Sequence, residues 1–143
     1  MSVKRHSGLP KLKAVPNKIS EVFVAGELVT NDSGNGFTAS TSSSTNIKGI
    51  TVGAISATDD EYTTQGTIVI DEINPDDVFE MLVTGTFTAA NVGDFLDLSD
   101  AVTVNADASA VDAVECVGYI NSTLGLFKIN ANAASKGAVG STS

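Results

Sequence analysis

The chain has 143 residues, 42% of them apolar and only 6% aromatic, and a formal net charge of −9. That length suits one domain or two small lobes, and the acidity argues against the body of the protein binding a nucleic-acid backbone. A single cysteine, Cys116, rules out an intrachain disulfide and no Cys/His cluster exists for zinc, while no apolar run approaches the roughly 20 residues of a membrane span.

The charge is unevenly placed. Residues 1–18 hold Lys4, Arg5, Lys11, Lys13 and Lys18, five of the eight cations, and no carboxylate. The remainder sets three lysines against all 17 carboxylates, a formal −14. Basic residues without a following apolar run predict no secretory signal. Gly8, Pro10 and Pro16 disfavour helix, so this stretch reads as an extended basic arm. Val3, Leu9, Leu12, Val15 and Ile19 give it apolar anchors at irregular spacing.

From residue 19 to 131 the pattern is one of short strands and turns. "SEVFVAGELVT" (20–30) is a bent strand or strand pair broken at Gly26, and "NDSGNG" (31–36) is a turn. "FTAS" (37–40) returns as a short strand, "TSSSTN" (41–46) is a polar loop, and "IKGITVGAIS" (47–56) is a strand with Ile50 and Val52 on one face. "TDDEY" (58–62) reads as acidic surface. The clearest strands are "TQGTIVIDEI" (64–73) and "VFEMLVTGTF" (78–87), joined by the turn "NPDD" with Pro75 presetting φ. In the second of these Phe79, Met81, Val83 and Phe87 fall on one face at period two, with Glu80, Thr84 and Thr86 opposite. Residues 88–107 form two short strands around an Asp-rich turn, and "AVECVGYINS" (113–122) and "GLFKINA" (125–131) end the fold. Residues 132–143 have the composition of a flexible tail.

No segment holds a helical period. The expected fold is all-β, a compact β-barrel or sandwich of about nine or ten short strands. An internal echo runs through it: Gly26 falls opposite Gly93, Phe37 opposite Val102 and Gly53 opposite Gly118, at offsets of 65 to 67 residues. Either two related β-units pack together, or Gly- and Val-rich strands merely look alike.

Chemistry is sparse. His6, the sole histidine, lies in the arm beside Arg5, without a positioned partner. Cys116 sits on a strand between Val114 and Gly118, where a buried apolar role is expected. Asp94, Asp97 and Asp100 are spaced by three, and Asp59, Asp60 and Glu61 are contiguous, but neither group converges six to eight oxygens as calcium requires. Solvated turns are expected, with no metal and no cofactor.

The arm is the most informative feature. Extended, 18 residues span up to about 60 Å, against a radius of gyration near ~14 Å for the body. The arm is therefore expected to lie on another subunit, with Lys4, Arg5, Lys11, Lys13 and Lys18 guiding docking. Leu9, Leu12, Val15 and Ile19 would hold it there.

Four segments carry a resemblance: "AGELVT" followed by a turn, "NIKGITVGAIS", "VTGTFTAANVGDFLDLSDAVTV" and "VECVGYINS". Over roughly residues 20–130 the chain resembles tailed-bacteriophage capsid decoration proteins, also called head cement proteins. The resemblance implies a small β-rich structural protein, not an enzyme, that binds the outside of an icosahedral shell and clamps adjoining major capsid subunits, often as a trimer. The partners so implied are the major capsid protein and copies of the chain in a homotrimer, with no nucleic acid and no membrane. The location so implied is the virion surface, after synthesis in the host cytoplasm. The arm and tail go beyond the pattern. One alternative is an enzyme with an active site shared between subunits, for which the sequence offers no polar cluster; the other is a carbohydrate-binding or adhesin-like β-module of a phage fibre. It would normally show aromatic platforms, where this chain has only Tyr62 and Tyr119 and no tryptophan.

Overall fold

The structure, a computed structural model, describes residues 3–130 except Ser33, Thr45 and Pro75. It is all-β, with eleven strands among the described residues. β1 (Lys4–Ser7) is followed by two groups of five. The first group is β2 (Leu12–Pro16), β3 (Leu28–Asn31), β4 (Phe37–Ala39), β5 (Ile47–Thr51) and β6 (Thr67–Glu72). The second is β7 (Val78–Thr84), β8 (Phe95–Leu98), β9 (Thr103–Asn105), β10 (Val114–Asn121) and β11 (Leu124–Ile129). A short α-helix, α1 (Asp60–Thr63), interrupts the stretch expected as acidic surface, and a single 3₁₀ turn (Ala89–Asn91) precedes β8.

The two groups are wired alike. The first sheet runs β2-β6-β5-β3-β4, the second β7-β11-β10-β8-β9. In the second, β9 pairs in parallel with β7 over Leu82–Thr84 and closes a five-stranded barrel. In the first, one parallel bridge between Asn17 and Phe37 brings β4 back beside the end of β2.

The echo seen in the sequence has a backbone counterpart. Gly26 and Gly93 both take positive φ, +91° and +98°, two residues before β3 and β8. Such a φ costs an L-residue with a Cβ but not glycine. Gly26 N–H donates to Thr51 C=O (2.8 Å) and Thr51 N–H to Glu27 C=O (2.8 Å). Gly93 N–H donates to Cys116 C=O (2.8 Å) and Cys116 N–H to Asp94 C=O (2.9 Å). The turns after β3 and β8 match as well, through Asp32 N–H to Gly36 C=O and Ser99 N–H to Thr103 C=O.

Burial follows strand alternation. Val15, Phe23, Val29, Ile55, Ile68 and Ile70 form the core of the first unit. Phe79, Met81 and Val83 point into the second barrel with Leu96, Val104, Cys116 and Phe127. Leu28, Ile47 and Ile50 leave the first unit on its other face and join that larger core, so the units share an apolar interface. Each fully covered aliphatic side chain contributes about 1.5–3 kcal/mol. β5 stops at Thr51, and Val52 is exposed rather than sharing the face of Ile50.

The N-terminal segment is extended, as its prolines suggest, but the extension is spent inside the molecule. β1 pairs with β7 of the second unit and β2 with β6 of the first. The boundary expected at residue 18 therefore cuts through the first unit. Edge strands recruit this segment because sheet edges present unpaired backbone groups. The tail of residues 132–143 lies outside the described residues, as does Pro75 of the expected turn.

Candidate interaction surface

The nine residues expected to contact a neighbour divide into two sets. Arg5 and Val15 face inward. Val15 is 3% exposed in the first core. Arg5 has a side chain 12% exposed and is bound on three sides. Its Nη2 lies 2.7 Å from Asp71 Oδ1 and its Nε 3.1 Å from Oδ2, a two-pronged pair. Its Nη1 is 2.7 Å from Asp77 Oδ2, and the guanidinium lies 5.1 Å from the centroid of the Phe79 ring. Burial works against the charge, but the hydrogen-bonded Asp71 and then the ion-paired Asp77 outweigh it and raise the Arg5 pKa. Arg5 thus joins β1, β6, the linker between the units and β7. Two signals in the sequence hint at this: Arg5 shares a strand face with Val3, itself buried, and it is the one guanidinium among lysines.

The remaining seven face outward. Lys4 stands opposite Glu80 at the rim of β7. Lys11 and Lys13 reach Glu72 at 3.3 and 3.6 Å, and Lys18 reaches Asp32 at 2.8 Å. Hydrogen bonding by Lys11 holds the Glu72 carboxyl below the usual range, and Lys18 does the same for Asp32. These pairs are solvated and contribute little to stability. Leu9 is 83% exposed, Leu12 64% and Ile19 47%.

Leu12 belongs to a larger apolar surface that sequence reasoning missed. Ala14 pairs with Val69, and Val52 N–H donates to Val69 C=O (2.9 Å), so Ala14, Val69 and Val52 form an outward row across β2, β6 and the residue just after β5. Val24 is exposed as well, its C=O accepting from the buried Thr51 Oγ1 (2.6 Å). The first-unit strands alternate in and out, but both faces carry aliphatics, and period two alone does not say which face is covered.

Beside this surface the seam between β2 and β4 opens into a cleft of about 380 Å³, with Val15, Phe37 and Ile70 among its apolar groups and Lys13, Lys48 and Glu72 among its polar ones. A second, more acidic cleft of about 440 Å³ lies in the second unit between Asp94, Phe95, Asp107 and Asp112.

Asp97 corrects one expectation. It is buried rather than solvated, and its carboxylate accepts N–H bonds from Ala110 (2.9 Å), Val111 (2.9 Å) and Asp112 (2.8 Å). It anchors the loop between β9 and β10. Among the described residues no group of three His, Cys, Asp or Glu side chains converges as a metal site. His6 is exposed on β1. Cys116 is buried, and burial pushes its thiol pKa up, which keeps it in the unreactive protonated form. No helix among the described residues is long and apolar enough to cross a membrane.

Compared with protein-family models and with characterised proteins, the chain finds no match.

Proposed function

We propose that the protein is a structural capsid decoration protein that binds the outside of a phage head and stabilises the shell by bridging neighbouring subunits. The observation that carries this reading is the outward aliphatic row of Leu12, Ala14, Val69 and Val52 on the first unit. Scattered exposed aliphatics need no explanation, but an aligned row suits a contact surface. The resemblance in four strand segments points that contact at a capsid. Lys11 and Lys13 flank Leu12 and would steer the surface onto acidic ground. A ligand that binds only the assembled shell stabilises it by mass action. The clamp is then the rigid body itself, with three copies meeting at a three-fold position.

Immunogold electron microscopy of particles from the native source tests the proposal. Gold is expected on the outer surface of heads. Gold on fibres, or none on particles, overturns it.

A further inference from the structure

In the second unit the seam edge of β7 is occupied along its length. β1 pairs with Val78–Glu80 and β9 with Leu82–Thr84. The matching edge in the first unit, along β2, has only the Asn17–Phe37 bridge at one end. Lys13 pairs with Ile70 as Phe79 pairs with Phe127, which makes Ala14 the counterpart of Glu80 and Leu12 that of Val78. Glu80 and Val78 are the residues that receive β1, at Lys4 and Ser7.

Backbone direction agrees. Glu72 N–H donates to Lys11 C=O (2.8 Å), so the antiparallel register turns Lys13 and Val15 toward β6 and Leu12 and Ala14 toward the seam. Lys18, in step with the latter, donates its N–H across the seam to Phe37 C=O (2.9 Å). No described strand pairs with Leu12 or Ala14 on that side. Edge groups of this kind accept an added strand.

We propose that the seam edge of β2 is an acceptor for an extended acidic segment of a partner protein, which adds antiparallel to β2 as β1 adds to β7. The 380 Å³ cleft supplies an apolar floor in Val15, Phe37 and Ile70 for one inward side chain. Lys13 and Lys48 outnumber Glu72 among the charges lining it and favour a carboxylate. Residues 1–18 hold no Asp or Glu, and residues 131–143 hold Lys136 and neither acid, so neither of these segments offers that chemistry. The charge of the cleft lining is what selects an acidic strand of a partner protein. This acceptor does not depend on what the protein decorates.

The test is amide hydrogen exchange on the full chain, with and without a capped hexapeptide alternating valine and glutamate. In the protein alone the Leu12 and Ala14 amides should exchange fast, while those of Lys13 and Val15, bonded to β6, are protected. Saturating peptide should slow Leu12 and Ala14 about ten-fold or more. Ala14→Pro removes a donor that β6 does not use and should weaken peptide binding about ten-fold. Lys13→Glu with Lys48→Glu should shift preference to a valine–lysine peptide. Slow exchange at Leu12 and Ala14 without peptide would mean that the chain fills its own seam. Slowing that grows with protein concentration would mean that a second copy fills it. Either result overturns the proposal, as does a peptide that binds Ala14→Pro equally well or leaves these amides fast.

Discussion

Arg5 and Asp71, 66 residues apart, meet in a two-pronged ion pair at 2.7 and 3.1 Å that ties the first strand of the chain to the last strand of the first unit. Asp77 closes the other side of the guanidinium at 2.7 Å. Because β1 is hydrogen-bonded to the second unit, this one side chain spans both units. Removing it leaves two largely buried carboxylates without their cation. Arg5→Ala should lower unfolding free energy by about 3 kcal/mol in urea titration. Arg5→Lys keeps the charge but not the fork and should fall between. An unchanged urea midpoint for Arg5→Ala would show that the clamp holds nothing.

Deletion of residues 2–18 separates an appendage from a structural segment. It strips β1 from β7 and β2 from β6 and takes Val3 and Val15 out of the two cores. Opening the first unit exposes Ile68 and Ile70. The truncated chain should therefore fail to give dispersed amide resonances and should bind a hydrophobic dye. A well-dispersed spectrum would mean that the body folds without its first two strands.

Asp97 accepts three backbone N–H bonds, which have no replacement acceptor if the carboxylate is lost. Asp97→Ala should cost about 2–3 kcal/mol. Asp94→Ala, on an exposed neighbour, should stay within about 0.5 kcal/mol. Equal melting temperatures for the two variants would contradict the anchoring role.

Glu72 reports on the basic rim. Its carboxyl is held below the ordinary range by Lys11, then by Lys13, so folding is favoured where Glu72 is ionised. With the folded value depressed, that contribution is present above the unfolded pKa of about 4.3 and disappears as pH falls through the folded value. Carbon-detected titration should place the Glu72 midpoint below the ordinary glutamate value, and Lys11→Gln with Lys13→Gln should return it there. A midpoint that ignores both lysines would show the contacts to be absent in solution.

Leu9 and Leu12 carry the shell-binding proposal. Buried at a contact, each would supply about 1.5–3 kcal/mol, whereas a solvated ion pair supplies ~0–1 kcal/mol. Leu9→Ser with Leu12→Ser should therefore weaken particle binding far more than Lys11→Gln with Lys13→Gln, and only the lysine share should fade in high salt. Light scattering of the free protein should show three chains. The reverse order of the two double variants, or a protein monomeric both free and on particles, would sink the proposal.

Local sequence was enough for the elements whose signal is local. Phe79, Met81 and Val83 alternate with Glu80 and Thr84, and the strand follows directly. Gly26 and Gly93 mark the same backbone turn in both units because each needs a φ that other residues resist. The composition of residues 1–18 excluded helix and predicted extension. Where that extended segment would pair was not local information. A strand's period says that one face is covered but not by what, so Val15 read as an anchor for a neighbour when it fills its own core. Asp97 read as a solvated turn because its three donors lie 13 to 15 residues onward. Tertiary structure decided that β9 runs parallel to β7, that β1 crosses to the second unit, and that Arg5 finds Asp71. Each joins chain segments far apart in sequence, and only the assembly of the two sheets brings their unpaired edges and charges together.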